Sequence, residues 1–303
     1  MEAQNPHKFG FVAVMGRPNT GKSTLVNAFL GQKIAAVSPR PQTTRKHQLG
    51  ILTLANAQIV FVDTPGVHQP RHKLGERMNM EAQDALEHSG LVLFLVDANQ
   101  LPGDEDRLLA SRIDNLHLSR KTILVLNKID LIPASSFASE LTARKTSYQA
   151  LLPQADLFAV SATRGDNREV LLIKMIERLP EGEPLYPEEQ VTDLFERDIA
   201  GELVREAALL LLRDEIPHGI AVRVDEFTER GESGAYIAAT VIVERESHKP
   251  IVIGKGGSML KKIGSIARNE IEAMSGRKVY LELRVKVLKN WRDNEKAVRQ
   301  LVG

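Results

Sequence analysis

Gly16-Arg17-Pro18-Asn19-Thr20-Gly21-Lys22-Ser23 follows directly on an apolar run at residues 9–15. The segment has the form G-x-x-x-x-G-K-[ST], in which glycines let backbone N–H groups face an anion at the start of a helix. In such a loop Lys22 reaches the β- and γ-phosphates and the Ser23 hydroxyl binds Mg²⁺. We therefore expect residues of this segment to bind a nucleotide: Gly16, Arg17, Pro18, Asn19, Thr20, Gly21, Lys22, Ser23 and Thr24.

Short apolar runs alternate with amphipathic stretches on either side of this loop. Buried strands are predicted at 9–15, 59–62, 91–96, 122–126 and 157–160, with a weaker candidate at 47–54. Helical spacing of apolar residues occurs at 104–116, 135–151 and 167–179. This alternation predicts an α/β domain over residues 1–180, with a mostly parallel sheet and helices on both faces.

A base-reading motif follows the fourth of the five stronger runs. Asn127-Lys128-Ile129-Asp130 has the form Asn-Lys-x-Asp, the guanine-specificity element of GTPases. The Asp130 carboxylate can accept from guanine N1–H and the 2-amino group, whereas adenine lacks that pair of donors. The motif therefore favours GTP over ATP.

Three further segments complete the pattern of a G domain. Asp63-Thr64-Pro65-Gly66 follows a strand, where Asp63 would hold Mg²⁺ through water and the Gly66 N–H would meet the γ-phosphate. Thr44, in Thr43-Thr44-Arg45, would close on the metal only in the triphosphate state, and Ser161-Ala162 would complete the guanine pocket. The order of these motifs resembles the small GTPase superfamily. We expect catalytic roles for Lys22, Thr44 and Gly66, and Mg²⁺ contacts from Ser23, Thr44 and Asp63.

One position departs from Ras-like enzymes. Their water-orienting glutamine follows the glycine of Asp-x-x-Gly, and that position is Val67 here. Slow intrinsic hydrolysis is therefore expected. The chain resembles a subgroup with an apolar residue at this site, some members of which use potassium, so Asn19 is a candidate K⁺ ligand.

The sequence pattern changes after residue 180. Residues 181–195 carry several prolines among acidic residues, which predicts a linker. Beyond it, a helix at 199–215, strands at 219–227 and 235–244, a helix at 258–274 and a strand at 278–288 indicate a small α+β module over 196–303.

Gly254-Lys255-Gly256-Gly257 forms a G-x-x-G loop, which we place between an apolar strand at 251–253 and the helix. A KH module clamps about four nucleotides of single-stranded nucleic acid with such a loop. The element order matches a bacterial type II KH domain. We expect RNA contacts from Ile253, Gly254, Lys255, Gly256, Gly257, Lys261, Lys262 and Arg268.

Charge is unevenly distributed along the 303 residues, although the formal net charge is only +1. Residues 245–303 carry 14 basic and 6 acidic side chains, a net charge of +8, which leaves −7 for the rest. The basic tail therefore favours a polyanionic partner. The absence of cysteine excludes disulfides and thiolate zinc sites, and no apolar run approaches the ~18 residues of a membrane span.

The combination of phosphate loop, Thr-Thr-Arg, Asp-Thr-Pro-Gly, Asn-Lys-x-Asp and C-terminal KH module, with the ending 285–293, resembles the Era GTPase family over almost the full length. The resemblance implies binding to 16S ribosomal RNA near its 3′ end and a role in 30S subunit assembly. It further implies a cytoplasmic protein with peripheral association at the inner membrane. We expect a monomer and no DNA partner. Thr20 stands where the family more often has valine.

Other functions remain compatible with the sequence alone. The chain could be a constitutive RNA-binding module with a structural nucleotide site, or another GTPase acting on RNA or tRNA. A P-loop kinase would be expected to lack Asn-Lys-x-Asp. This chain has that motif, so the kinase alternative is disfavoured. Trp291 is a candidate for base stacking, but a lone tryptophan is more often packed, and we favour partial burial.

Overall fold

The computed structural model describes residues 6–37, 44–66, 72–230 and 234–302. The chain folds as two compact units. The first comprises Met1–Gln32, Lys46–Gln69 and Met78–Asp193, and the second comprises Lys33–Arg45, Pro70–Arg77 and Leu194–Gly303. None of the helices in the described ranges combines the length and the apolar character needed to span a bilayer.

A six-stranded sheet forms the centre of the first unit. Its strands are β1 (Lys8–Met15), β2 (Gln48–Leu54), β3 (Ala57–Asp63), β4 (Leu91–Asp97), β5 (Thr122–Asn127) and β6 (Asp156–Ala159). The spatial order is β2-β3-β1-β4-β5-β6, and only β2 runs antiparallel to its neighbour. Strands β3, β4 and β5 are buried along their whole length, as expected for parallel strands that are covered on both faces. The predicted mostly parallel sheet is confirmed.

Helices cover both faces of this sheet. They are α1 (Lys22–Leu30), α2 (Lys73–His88), α3 (Asp104–Asn115), α4 (Phe137–Gln149) and α5 (Arg168–Arg178). Leu25 of α1 and Met175 of α5 pack in one core cluster, whereas Leu86 of α2, Ile113 of α3 and Tyr148 of α4 pack in the other. Helix α2 is absent from the sequence-based prediction.

The segment predicted as a linker packs along the antiparallel edge of the first unit. The Ile51 N–H donates to the Val191 carbonyl at 2.9 Å, and the buried Gln58 amide bonds to the backbone of Leu185 and Tyr186 at 2.8 Å. Prolines suit this position, because an extended edge segment does not need every backbone N–H for pairing. Residues 181–193 therefore form part of the first unit's fold.

The C-terminal part of the second unit contains α6 (Glu196–Leu211), β7 (Ala221–Glu229), β8 (Gly234–Val243), α7 (His248–Ile253), α8 (Ser258–Ser275), β9 (Lys278–Val287) and α9 (Glu295–Val302). Its sheet has the order β7-β8-β9, with β7 antiparallel and β9 parallel to β8. The predicted strand at 251–253 is wrong, since these residues end α7. Three apolar residues are too few for periodicity to separate helix from strand.

One face of the three-stranded sheet is covered by helices. Ile237 of β8 and Val279 of β9 join Ile263 and Ile271 of α8 in a single core. Trp291 is 0% exposed and its Nε1 donates to the Gly219 carbonyl at 2.9 Å. Trp291 is therefore packed, and more completely than the partial burial predicted, so neither ring face is available for base stacking.

Candidate functional site

The phosphate loop connects β1 to α1 and brings a buried lysine to the start of the helix. Lys22 is 6% exposed, and its Nζ donates to the carbonyls of Gly16 and Arg17, each at 3.0 Å. Helix α1 begins at Lys22, so its unpaired N-terminal amides and positive dipole end lie at the loop. The arrangement suits a phosphate chain.

Burial lowers the pKa of Lys22 to about 8, although the nearby Asp63 carboxylate acts in the opposite direction. The lysine is held by neutral carbonyl groups, which compensate only part of the cost of removing a charge from water. A bound phosphate would supply the missing negative charge. The loop is therefore built to gain stability when an anion enters it.

Two predicted magnesium ligands are adjacent. The Ser23 Oγ donates to Asp63 Oδ2 at 2.6 Å, and Asp63 is 1% exposed at the carboxyl end of β3. A hydroxyl and a carboxylate are the hard oxygen donors that Mg²⁺ prefers. Gly66 lies against the phosphate loop, because a Cβ at this position would come within 2.7 Å of the Pro18 nitrogen. These residues fit a magnesium-bound triphosphate.

Asn127 ties the base-reading motif to the other segments of the site. Its Nδ2 donates to the Thr20 carbonyl at 2.8 Å, and its Oδ1 accepts from the Ala162 N–H at 2.9 Å. Asp130 Oδ1 is buried and has no hydrogen-bond partner among the residues that the structure describes. A buried carboxylate oxygen without a donor is costly, so this atom points to a ligand with N–H groups, such as guanine.

The sequence analysis missed two residues that hold Lys128. Lys128 adopts the left-handed conformation, with φ of 66°. Its Nζ donates to Asp97 Oδ2 at 2.8 Å, and the Asn99 amide donates to its carbonyl at 3.1 Å. Burial alone would raise the pKa of Asp97, but hydrogen bonds from Lys128 and Asn99 outweigh it and lower that pKa. An acid at the carboxyl end of a central parallel strand is the signal that could have found Asp97.

The remaining predicted nucleotide residues differ in their surroundings. Arg17 donates to Gln100 at 2.7 Å and lies 3.7 Å from the buried Asp106, so α3 and the segment before it hold its side chain. Asn19, the candidate K⁺ ligand, is exposed in a left-handed conformation with φ of 66°. Thr44 is 8% exposed within the second unit. Thr43 and Val67 lie outside the described residues. Pro65, Thr64 and Ser161 are buried, whereas Thr24 is half-buried.

The glycine loop of the second unit requires glycine at its first position. Gly254 has φ of 74°, and a Cβ there would come within 2.6 Å of the Met259 nitrogen. Gly256 and Gly257 also have positive φ, 60° and 80°. The backbone is thus bare and tightly turned just before α8, as close phosphate approach requires.

Four cations near this loop are exposed. Lys255 lies in the loop, and Lys261, Lys262 and Arg268 follow on α8. Within the described parts of the chain none of the four makes an ion pair within 4.0 Å. Other cations of the tail are neutralised, for example Arg292 by Glu244 at 2.6 Å and Arg299 by Glu295 at 2.9 Å. The loop and α8 therefore present a group of exposed cations to which RNA phosphates could bind.

The fold and these two sites define a P-loop GTPase that carries a KH domain. Residues 11–128 match the family described as 50S ribosome-binding GTPase, and residues 215–292 match the KH domain family. GTPase Era of Clostridium botulinum strain Loch Maree is 46% identical over 295 residues, which cover 97% of each chain. The chain belongs to the Era family of GTPases.

Two solved structures share the whole architecture. One is Era in complex with MgGDPNP and nucleotides 1506–1542 of 16S ribosomal RNA, with a TM-score of 0.91, 40% identity and coverage of 97% of this chain and 98% of that one. The other is a single-substitution variant of Aquifex aeolicus Era bound to GDP·AlF₄⁻, with a TM-score of 0.89 and 40% identity over the same shares. Each of these structures therefore matches this chain across both of its domains.

Proposed function

We propose that this protein is a GTP-hydrolysing switch that binds 16S ribosomal RNA near its 3′ end and acts in assembly of the 30S ribosomal subunit. The observation that carries the proposal is the relative that holds MgGDPNP and 16S nucleotides 1506–1542 together and matches this chain with a TM-score of 0.91. The buried Asp130 oxygen and the exposed loop cations give this chain the matching chemistry.

Residues 1–180 form the proposed nucleotide domain, 181–195 the connection, of which 181–193 pack on the nucleotide domain, and 196–303 the RNA-binding domain. In the first, Lys22 and the α1 amides bind the phosphates, Ser23 and Asp63 hold Mg²⁺, and Asn127 and Asp130 read guanine. The metal, when bound, supplies positive charge to the transferring phosphoryl group. Thr44 closes on the site in the triphosphate state, and Gly66 donates its N–H to the γ-phosphate. The other predicted residues of both sites keep the roles stated for them above.

Hydrolysis in this scheme depends on metal charge and positioning rather than on a side-chain base. Asn19 is proposed to support a K⁺ ion that adds charge near the β- and γ-phosphates. Hydrolysis should then be faster in K⁺ than in Na⁺ at equal ionic strength. Equal rates in the two salts would remove K⁺ from the mechanism.

A paired substitution tests the RNA site separately from the nucleotide site. Replacing Lys255 and Gly256 with aspartate puts negative charge where phosphates are expected, so RNA binding should be lost while intrinsic GTP hydrolysis is retained. Replacing Lys145 of α4, which is also exposed, with aspartate is the matched control. Retained RNA binding in the loop variant would refute the assignment of the KH loop.

Cytoplasmic location, peripheral membrane association and a monomeric state complete the proposal. Flotation of the purified protein with anionic vesicles and sedimentation with 30S subunits test the membrane and ribosomal partners directly. Binding to neither would leave only RNA as a partner.

A further inference from the structure

The second unit exposes a sheet face whose chemistry differs from that of the glycine loop. Inward residues of β9, such as Val279 and Leu283, contact the helices, so the alternate residues point away from them. Tyr280 is one of these outward residues and is 66% exposed. Tyr236 of β8 is its register partner across the parallel ladder.

Flat side chains lie next to each other on this face. The rings of Tyr236 and Tyr280 are stacked, with centroids 5.8 Å apart and an interplanar angle of 18°. The Arg230 guanidinium lies over the Tyr236 ring, 5.0 Å from its centroid. We call Arg230, Tyr236 and Tyr280 the tyrosine platform. Two tyrosines at paired positions of neighbouring strands stabilise a sheet. That role does not explain why the Tyr280 ring is two-thirds exposed to solvent.

Charges around the platform are mostly paired with one another. Arg284 lies 2.8 Å from Glu282, which also accepts from the Tyr236 hydroxyl at 2.8 Å. Arg223 lies 2.7 Å from Asp225. Beside these paired charges, the groups that a ligand would meet at the platform are the two tyrosine rings and the Arg230 guanidinium plane. This chemistry suits nucleobases, which stack on aromatic and guanidinium planes, better than it suits phosphates or a duplex backbone.

We propose that the tyrosine platform is a second RNA contact, on which unpaired bases flanking the KH-bound segment stack. The proposal rests on the proposed RNA-binding function. The glycine loop begins α8, which packs on the opposite face of the sheet, so one RNA must pass around the sheet to reach both sites. A KH loop clamps about four nucleotides, so only longer RNAs contact the platform.

Binding of RNAs of different length to the full-length protein tests this contact. The probes are 16S nucleotides 1506–1542 and fragments truncated stepwise from each end. Tyr280→Ala should weaken binding of the long RNA about fivefold to a hundredfold, the effect of losing one stacked base. It should leave the shortest fragments that still bind unaffected. Tyr280→Phe keeps the ring and should restore the long-RNA affinity.

Phe195→Ala is the matched control, because Phe195 is an exposed aromatic residue of the same unit, 74% in solvent, that lies before α6. Salt dependence separates the two contacts. Tyr280→Ala should leave the slope of log affinity against log salt unchanged, whereas Lys255→Ala should reduce it by about one.

Unchanged long-RNA affinity in Tyr280→Ala, or an equal loss for every fragment, overturns the platform. Unchanged RNA affinity with weaker binding to 30S subunits would instead assign the face to a protein partner and also overturn it. If the aspartate substitutions at Lys255 and Gly256 fail to abolish RNA binding, the KH assignment itself fails. Failure of the tyrosine platform and failure of the KH assignment therefore give different results.

Discussion

At the scale of single residues, the nucleotide site is a set of buried polar atoms that need a ligand. Lys22, Asp63 and Asp130 were found from the sequence because their motifs have fixed spacing. Asp97 and Asn99 were missed because they act through Lys128, and contacts between two strand ends depend on sheet order rather than on chain spacing. Sequence motifs thus identify the residues expected to contact the ligand, whereas the residues that position them can be identified only from the folded structure.

Asp130→Asn should shift preference from guanine toward xanthine nucleotides. The amide can donate where the carboxylate only accepts, so it suits the carbonyl that xanthine carries in place of the 2-amino group. Competition between GDP and xanthosine diphosphate measures the shift. Retained guanine preference would remove the base-reading role from Asp130.

Asp97→Asn should lower GDP affinity about tenfold, because a charge-assisted hydrogen bond to Lys128 becomes a neutral one. Asp104→Asn, an exposed acid at the start of α3, is the control and should leave affinity unchanged. Fluorescence titration with a labelled GDP gives both values. Equal affinities for the two variants would show that Lys128 needs no positioning by Asp97.

Nucleotide binding should take up a proton at alkaline pH. In the free protein the pKa of Lys22 is about 8, and bound phosphates favour the charged form and raise it. Binding therefore adds close to one proton at about pH 9 and almost none near pH 6.5, and affinity falls as pH rises above 8. Calorimetry in buffers of different ionisation enthalpy measures the uptake. Zero uptake at pH 9 would contradict the lowered pKa.

At the scale of elements, periodicity predicted most strands and helices but failed where the pattern was short or interrupted. The five parallel strands of the first unit were recovered because such strands are continuous apolar runs, and the antiparallel β2 was the weaker candidate. Helix α7 was read as a strand from three apolar residues, and the linker predicted at 181–195 has a part, 181–193, that pairs with the sheet of the first unit. Edge pairing of a proline-rich segment leaves no periodic signal.

Two glycines that follow helices, Gly254 after α7 and Gly276 after α8, provide an element-scale prediction. Gly254 and Gly276 have similar φ values, 74° and 70°, but a Cβ clashes only at Gly254. Gly254→Ala should deform the loop and abolish RNA binding. Gly276→Ala should keep RNA binding and lower stability by only about 1 kcal/mol, the strain of a left-handed alanine. Equal RNA affinities for the two variants would show that the loop geometry is irrelevant to binding.

At the scale of the whole molecule, charge is separated along the chain. A net +8 in residues 245–303 is masked by −7 elsewhere, and Lys255, Lys261, Lys262 and Arg268 are exposed cations that make no ion pair with any residue in the described ranges. RNA affinity should therefore fall steeply with salt despite a near-neutral total. The second unit also includes Thr44, which is predicted to contact the nucleotide-bound metal, so chain connectivity links the two functions.

The central claim is that the nucleotide controls RNA binding, and only a difference in RNA affinity between nucleotide states can produce that control. The most direct measurement is the dissociation constant for 16S nucleotides 1506–1542 with saturating GTP analogue and with saturating GDP, at one salt concentration. The account predicts clearly tighter binding with the analogue. Equal dissociation constants would contradict it and leave a constitutive RNA-binding protein with a structural nucleotide site.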